Sequence, residues 1–221
     1  MKFDFEFAFK LIFIMMKYVK VTLALSVSAM TIGLVSAIII TLIIDARVPF
    51  LRKFFKIYIS FFRGTPLIAQ LFLLYFGLAQ VIPAVTKLQP FNAALIIMGM
   101  NSAAYMAEVL RGSISSVDKG QMEASLSIGM NYVQAMTRIV FPQAFKIAIP
   151  ALSNTFINLI KDSSIAFTIG VTEITASAQL EATSSFKYLE AYVNIILIYW
   201  VLTSVLGYFQ RKLELKLDKE R

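Results

Sequence analysis

Five separate stretches of this chain are each long and apolar enough to cross a bilayer, and nothing else in the sequence constrains the fold so tightly. A spanning helix needs about 20 mostly apolar residues. The stretches run at roughly Val19–Ile44, Ile57–Ile82, Phe91–Leu110, Ile147–Thr168 and Tyr192–Phe209. The first exceeds the apolar core of a secretory signal, about 7–15 residues, so it is read as retained. Of the 221 residues, 58% are apolar and 15% charged, against about 45–50% and about 25% in soluble domains. A soluble fold would have to expose that surplus as large sticky patches. The expected architecture is therefore an all-α membrane protein with five transmembrane helices.

The net charge of +8 would suggest nucleic acid in a soluble protein. Here the cations sit at the edges of the apolar stretches, which makes them topology signals, because short cytoplasmic loops collect Lys and Arg. With the N-terminus outside, the inner loops and tail hold thirteen: Arg47, Arg52, Lys53, Lys56, Arg111, Lys119, Arg138, Lys146, Arg211, Lys212, Lys216, Lys219 and Arg221. The outer side holds six: Lys2, Lys10, Lys17, Lys20, Lys87 and Lys187. The bias assigns N-out and C-in. Residues 1–18, where Phe3, Phe5, Phe7 and Phe9 alternate with polar or small residues, are expected in the outer interface. Residues 19–221 form the transmembrane domain, and 111–146 its long inner loop.

Cysteine and histidine are both absent. That removes thiolate chemistry, nearly all zinc and transition-metal sites, and the commonest general base near neutral pH. No catalytic residue and no metal ligand is expected. There is no internal repeat, and five spans do not divide into the paired halves of many secondary transporters. A pore would need a second copy or a homologous partner.

The inner loop has helix signals rather than the composition of a flexible linker. Asp118 followed by Gln121 is a capping-box-like start. A helix can then run to about Ile128, where Gly129 supplies a terminating turn. Asn131 and Gln134 repeat the cap signal for a second short helix ending near Val140, before Pro142. The expectation is a stiff elbow able to pass force.

Within that elbow, Glu123-Ala124-Ser125, three residues, Gly129, nine residues and Ile139-Val140-Phe141-Pro142 resemble the EAA motif of binding-protein-dependent ABC importer permeases. The family pattern is E-A-A, three residues, G, nine residues, I-x-L-P. Ser125 and Phe141 depart from it while keeping small or apolar character. Arg63-Gly64-Thr65-Pro66-Leu67 with Gln70 resembles the R-G-T-P-L-x-x-Q signature of the polar amino acid permease group. Asn101 to Glu108 with Arg111-Gly112, and Lys161-Asp162-Ser163-Ser164, resemble that group's third and fourth spans. The likeness runs from about Thr22 to the C-terminus. It implies a type I ABC importer permease fold in a bacterial cell membrane. It also implies that the elbow (Glu123, Ala124, Ser125, Gly129, Ile139 and Pro142) docks on a cytoplasmic ATP-binding subunit.

The chain has no G-x-x-x-x-G-K-[ST] loop, so ATP and magnesium belong on that separate subunit and this chain holds no cofactor. The other expected partners are an extracytoplasmic binding protein, the bilayer and an amino acid from the glutamine, glutamate, basic or cystine group. Nucleic acid is not expected.

Candidate substrate contacts lie where spans are interrupted. At Gly64-Thr65-Pro66 the second span can break, because proline has no amide hydrogen and suits the start of a helix. Threonine there can cap a half-helix whose positive end receives a carboxylate. The other reading is a kink with Arg63 reaching to the interface. Lys161 and Asp162 lie inside the fourth span, where a charge costs about 2.5–3.5 kcal/mol and marks a pathway or a pair. Adjacent residues point about 100° apart. Asp162 is therefore expected at the substrate ammonium and Lys161 at an interface, unless the two form an internal salt bridge or snorkel. Gln70, Asn101, Tyr105 and Ser163 complete the candidate set, though Asn101 and Tyr105 also suit helix-to-helix bonds. Glu108 and Arg111, three apart, read as a local ion pair. An ion-gradient transporter and a non-transporting scaffold are the rival functions; neither accounts for both the elbow and the intramembrane charges.

Overall fold

The computed structural model describes residues 3–46 and 48–218; Lys2, Arg47, Lys219 and Arg221 of the charge count lie outside them. All regular structure among the described residues is helical. The first stretch forms α2 (Val19–Asp45), preceded by α1 (Phe5–Met16). Then come α3 (Pro49–Gly64), α4 (Leu67–Phe72), α5 (Pro90–Ser115), α6 (Lys119–Ser127), α7 (Tyr132–Ala135), α8 (Phe141–Asp162), α9 (Ile174–Ser185) and α10 (Tyr188–Asp218).

The alternating phenylalanines at the N-terminus do not form a strand. In α1 they wind so that Phe5, Phe9 and Phe13, four apart, stay exposed, while Ala8, Leu11 and Met15 are buried against α9 and α10. Asp4 caps α1 by accepting from the Phe7 amide at 3.0 Å and pairs with Lys187 at 2.5 Å. Lys187 holds the Asp4 carboxyl below its usual range. Asn194 on α10 donates to the Ala8 carbonyl at 2.7 Å. The segment expected as an interfacial anchor is thus also a packed helix.

Among the described residues, three helices, α2, α5 and α10, are long and apolar enough to span by themselves. A fourth span exists only if α3 and the following segment Leu67–Gln80 count as one, and their axes differ by 111°. Five spans is accordingly an approximate count. The stretch expected as the fourth, Ile147–Thr168, is α8 plus a 3₁₀ segment, Ser163–Ile169. The expected second span, Ile57–Ile82, is the bent pair, and α3 starts earlier, at Pro49.

Helices α2 and α5 form the spine. In lipid there is no apolar driving force between helices, so close backbone approach does the work. Ala29, Ala37, Ala93, Ala94, Ala103, Ala104 and Ala107 are all buried between or beside them. At the tightest point a Cβ on Gly33 would overlap Ser102 Oγ and lie 2.7 Å from Met106 Cε. Helix α8 packs on this pair through Ala148, Leu152 and Leu159. Helix α9 went unforeseen, since its 12 residues are too short to read as a span. It begins at the fully buried Glu173, which accepts from the Ala176 amide and from the Tyr199 hydroxyl of α10, each at 2.8 Å.

Candidate functional site

The break between α3 and α4 falls at Gly64-Thr65-Pro66, with Thr65 and Pro66 both extended. Thr65 does not cap α4 as expected. Its hydroxyl donates backward to the Phe61 carbonyl of α3 at 2.8 Å and accepts from Gln70 Nε2 at 2.8 Å. Threonine follows the end of a helix here, and the free carbonyls of that end are closer than the amides ahead. The first turn of α4 has no side-chain cap. Pro66 precedes that helix as its N-cap rather than opening it.

Gln70 locks the corner. It is 3% exposed, and its amide nitrogen lies 3.0 Å from the Phe62 carbonyl and 3.1 Å from the Thr65 carbonyl. That contact set fixes which end of the amide is nitrogen, so Oε1 faces Asn101. Asn101 Nδ2 donates to it and to the Phe62 carbonyl, each at 3.0 Å. Both hydrogens of Asn101 are used, and its Oδ1 remains without a described partner.

A cavity of about 520 Å³ opens beside this corner. Its walls are Thr65, Pro66 and Leu67 at the break, Asn101, Ser102 and Tyr105 on α5, and Thr155, Asn158, Lys161 and Asp162 on α8. Lys161 lines the cavity together with Asp162, against the expectation that it faces an interface. The cavity is wide enough to take in both directions from the helix end, and the helix tightens to 3₁₀ at Ser163. Neither charge makes an ion pair with a described residue. The internal salt bridge weighed above is therefore not formed.

Other candidates sit nearby without reaching the cavity wall. Gly64 ends α3 in open space. Gln70 is behind the corner, and the buried Ser163 donates to the Ile160 carbonyl at 2.7 Å. Arg63 stacks over the Tyr105 ring at 5.6 Å and approaches Glu108 at 3.7 Å. Glu108 and Arg111 form the expected local pair at 2.8 Å. Thr155 and Asn158 were missed. With Asp162 they make a polar stripe at spacings of three and four along α8, a helical signal that a search for charges alone passes over.

The elbow's caps form, except that Gln121 does not bond back to close a box with Asp118 and instead accepts from Gln143 at 3.3 Å. Asp118 accepts from the Gly120 amide at 2.6 Å and starts α6. The helix ends in a Schellman turn: the Gly129 amide donates to Leu126 at 3.0 Å and the Met130 amide to Ser125 at 3.1 Å. Gly129 has φ +90°, the left-handed region that favours glycine. A full capping box at Asn131 and Gln134 then starts α7.

Pro142 does not stop the second helix. A π turn at Met136–Val140 shifts the hydrogen-bond register immediately ahead of Pro142, and the helix continues past this residue that has no amide to donate. The elbow therefore runs without interruption into α8, which carries Asp162 at its far end. Glu123, Ala124, Leu126 and Ile128 are exposed. Ser125 is buried, with its hydroxyl donating to the Gln121 carbonyl at 2.6 Å. Ile139 is half-buried and Pro142 exposed. Met136, Val140, Ala144 and Val117 form a small core beneath α6, and Tyr132 donates to Asp45 on α2 at 2.6 Å.

Residues 29–219 match the family model described as "Binding-protein-dependent transport system inner membrane component". The probable amino-acid ABC transporter permease protein PatM of Vibrio harveyi is 45% identical over 99% of this chain and 98% of its own length. The arginine transport system permease protein ArtQ of Bacillus subtilis is 36% identical over 98% of each. The L-cystine transport system permease protein TcyB of the same organism is 40% identical over 90% of this chain and 84% of its own. The fold superposes with a TM-score of 0.91 on a chain from a crystal structure of an amino acid ABC transporter with histidines, at 34% identity, covering 98% of this chain and all of the other. A chain of the MetNI methionine ABC transporter, 17% identical over 93% of this chain and 96% of its own, shares the fold with a TM-score of 0.77. This chain belongs to the binding-protein-dependent transport system inner membrane components, as a multi-pass amino-acid ABC transporter permease.

Proposed function

We propose that the chain lines one half of the translocation pathway of an ATP-driven importer for a polar amino acid, with a second copy or a homologue supplying the other half. Asp162 receives the substrate ammonium. Lys161 and the uncapped first turn of α4 receive its carboxylate. Asn101 Oδ1, Tyr105, Thr155 and Asn158 contact the rest of the molecule, while Gln70, Gly64 and Ser163 hold the wall in shape. The observation that carries this reading is one carboxylate and one ammonium lining the same cavity without pairing. A dipolar ligand completes both charges. Relatives named for cystine, arginine and glutamine transport support a polar amino acid as that ligand.

Coupling runs through the elbow. Glu123, Ala124 and the exposed Leu126 and Ile128 face a cytoplasmic ATP-binding subunit, which carries the ATP and magnesium. An extracytoplasmic binding protein delivers the substrate. ATP can drive the cycle only by favouring one conformation over another. The continuous path from α7 through α8 brings that preference to Asp162.

Uptake measured in proteoliposomes with the ATP-binding subunits tests the reading. Asp162→Asn should raise the half-saturating substrate concentration about 10- to 100-fold, the worth of a hydrogen bond to a charged group, while leaving basal ATP hydrolysis intact. Unchanged affinity removes Asp162 from the ammonium site. Full-rate uptake by the chain alone on an ion gradient overturns the ATP-driven mechanism.

A further inference from the structure

On the elbow side of the molecule, away from the substrate cavity, two hollows of about 190 and 320 Å³ share Ile44, Arg52 and Arg111. They lie where the end of α2, the start of α3 and the end of α5 meet. Lys56 and Glu108 line one and Asp45 the other.

The acids there are already engaged. Glu108 pairs with Arg111 and approaches Arg63, and Asp45 accepts from the Tyr132 hydroxyl. The side chains of Arg52 and Lys56 make no hydrogen bond or ion pair with a described residue. Arg52 Nε is buried without a partner, and among the described residues it is the one buried side-chain nitrogen or oxygen in that condition. A buried guanidinium N–H without an acceptor is costly, and charged donors most of all. Three cations, Arg52, Lys56 and Arg111, thus line one hollow whose carboxylate, Glu108, is already held by Arg111.

The other side of α3 says where the hollow sits. Phe50, Phe54, Ile57 and Phe61 recur at helical spacing and are all exposed, Phe50 by 80%. Arg52 and Lys56 lie on a separate stripe of the same helix. A helix with one exposed aromatic stripe and one basic stripe rests at the boundary of hydrocarbon and headgroups. Basic pockets between membrane helices at that depth suit phosphate headgroups, with bidentate guanidinium contacts to phosphate oxygens.

We propose that Arg52, Lys56 and Arg111 hold the phosphate of an anionic phospholipid in the leaflet on the elbow side. The site is separate from the substrate cavity, and it braces the helix that leads directly to the break at Thr65 and Pro66.

The test uses the full chain in nanodiscs of equal phosphatidylcholine and phosphatidylglycerol, with retained lipid counted by native mass spectrometry. The native chain should retain phosphatidylglycerol in clear preference. Arg52→Gln and Lys56→Gln should each lower that preference about fivefold. Lys53→Gln, on the same helix but lining neither hollow, should leave it within about twofold. Thermal unfolding in pure phosphatidylcholine checks that each variant folds, and should Arg52→Gln fail, the exposed Lys56 carries the test alone. No preference in the native chain overturns the site, as does an equal loss in Lys53→Gln. Displacement of the lipid by inorganic phosphate, at an ionic strength matched with chloride, shows a soluble-anion site and overturns the lipid assignment. Expulsion of the lipid by added ATP-binding subunits overturns it in favour of a protein interface.

Discussion

Replacing Gln70 should loosen the corner between α3 and α4 without removing an atom from the cavity wall. The Gln70 amide nitrogen has two hydrogens and three acceptors in reach, the Phe62 and Thr65 carbonyls and Thr65 Oγ1, so two bonds form at a time. Asn101 donates a third to Oε1. At about 0.6 kcal/mol for each side-chain bond between membrane helices, three bonds come to about 2 kcal/mol. Phe62 keeps Asn101 as a donor, but the Thr65 carbonyl does not. If that carbonyl stays unsatisfied, the orphaned acceptor adds about 1–3 kcal/mol. Gln70→Ala should therefore destabilise by about 2 to 5 kcal/mol, read as a shift in reversible unfolding in mixed micelles titrated with dodecyl sulfate. Gln70→Glu separates bonding from packing. It keeps the shape, but an ionised carboxylate can only accept, and it faces two carbonyls. Its loss should equal or exceed that of alanine, with uptake falling in step. A Gln70→Glu variant as stable as the native chain, or an alanine variant losing less than about 0.5 kcal/mol, refutes the assignment of Gln70 as the lock.

Two further substitutions probe the elbow and the spine. Gly129→Pro demands φ near −65° where the chain has +90° and removes the amide that donates to Leu126. It should leave membrane insertion intact while substrate-stimulated ATP hydrolysis and uptake lose their coupling. Gly129→Ala, costing about 1–2 kcal/mol locally, should retain part of it; normal coupling in the proline variant removes the elbow from the mechanism. Gly33→Ala should drive Ser102 and Met106 aside and separate α2 from α5. Thermal unfolding in detergent should shift by about 1–3 kcal/mol, as overpacking does, and because Ser102 lines the cavity, substrate affinity should weaken as well. An unchanged melting curve shows that the two helices have slack there.

Much of the elbow was legible because its signals are local. Asp118, Gly129, Asn131 and Gln134 act on amides and carbonyls within a few residues of themselves, so their placement in the chain already names the cap. Pro142 misled for the same reason. Read locally it ends a helix, but a π turn five residues long re-registers the backbone ahead of it. That adjustment depends on the small core of Val117, Met136 and Val140 lying beneath α6. Thr65 misled likewise. A hydroxyl between two helices can serve either one, and the position of Gln70 decided which.

By itself, the sequence determined the solvent and the class of structure. Apolar runs of spanning length are a property of composition along the chain, and burial in lipid follows from them without knowledge of any contact. It also determined two of the backbone's breaks, at Thr65-Pro66 and at Gly129, because proline and glycine act on their own dihedral angles, although Pro142 and Pro150 sit within continuous helix. The tertiary structure alone decided which polar groups share a cavity. Lys161 and Asp162 are adjacent in sequence, yet the width of the space beside α8 placed both on one wall. Gln70 and Asn101, 31 residues apart, became one hydrogen-bonded corner. Helix packing sets such distances through close contacts among small residues far apart in the chain, and no single segment records them.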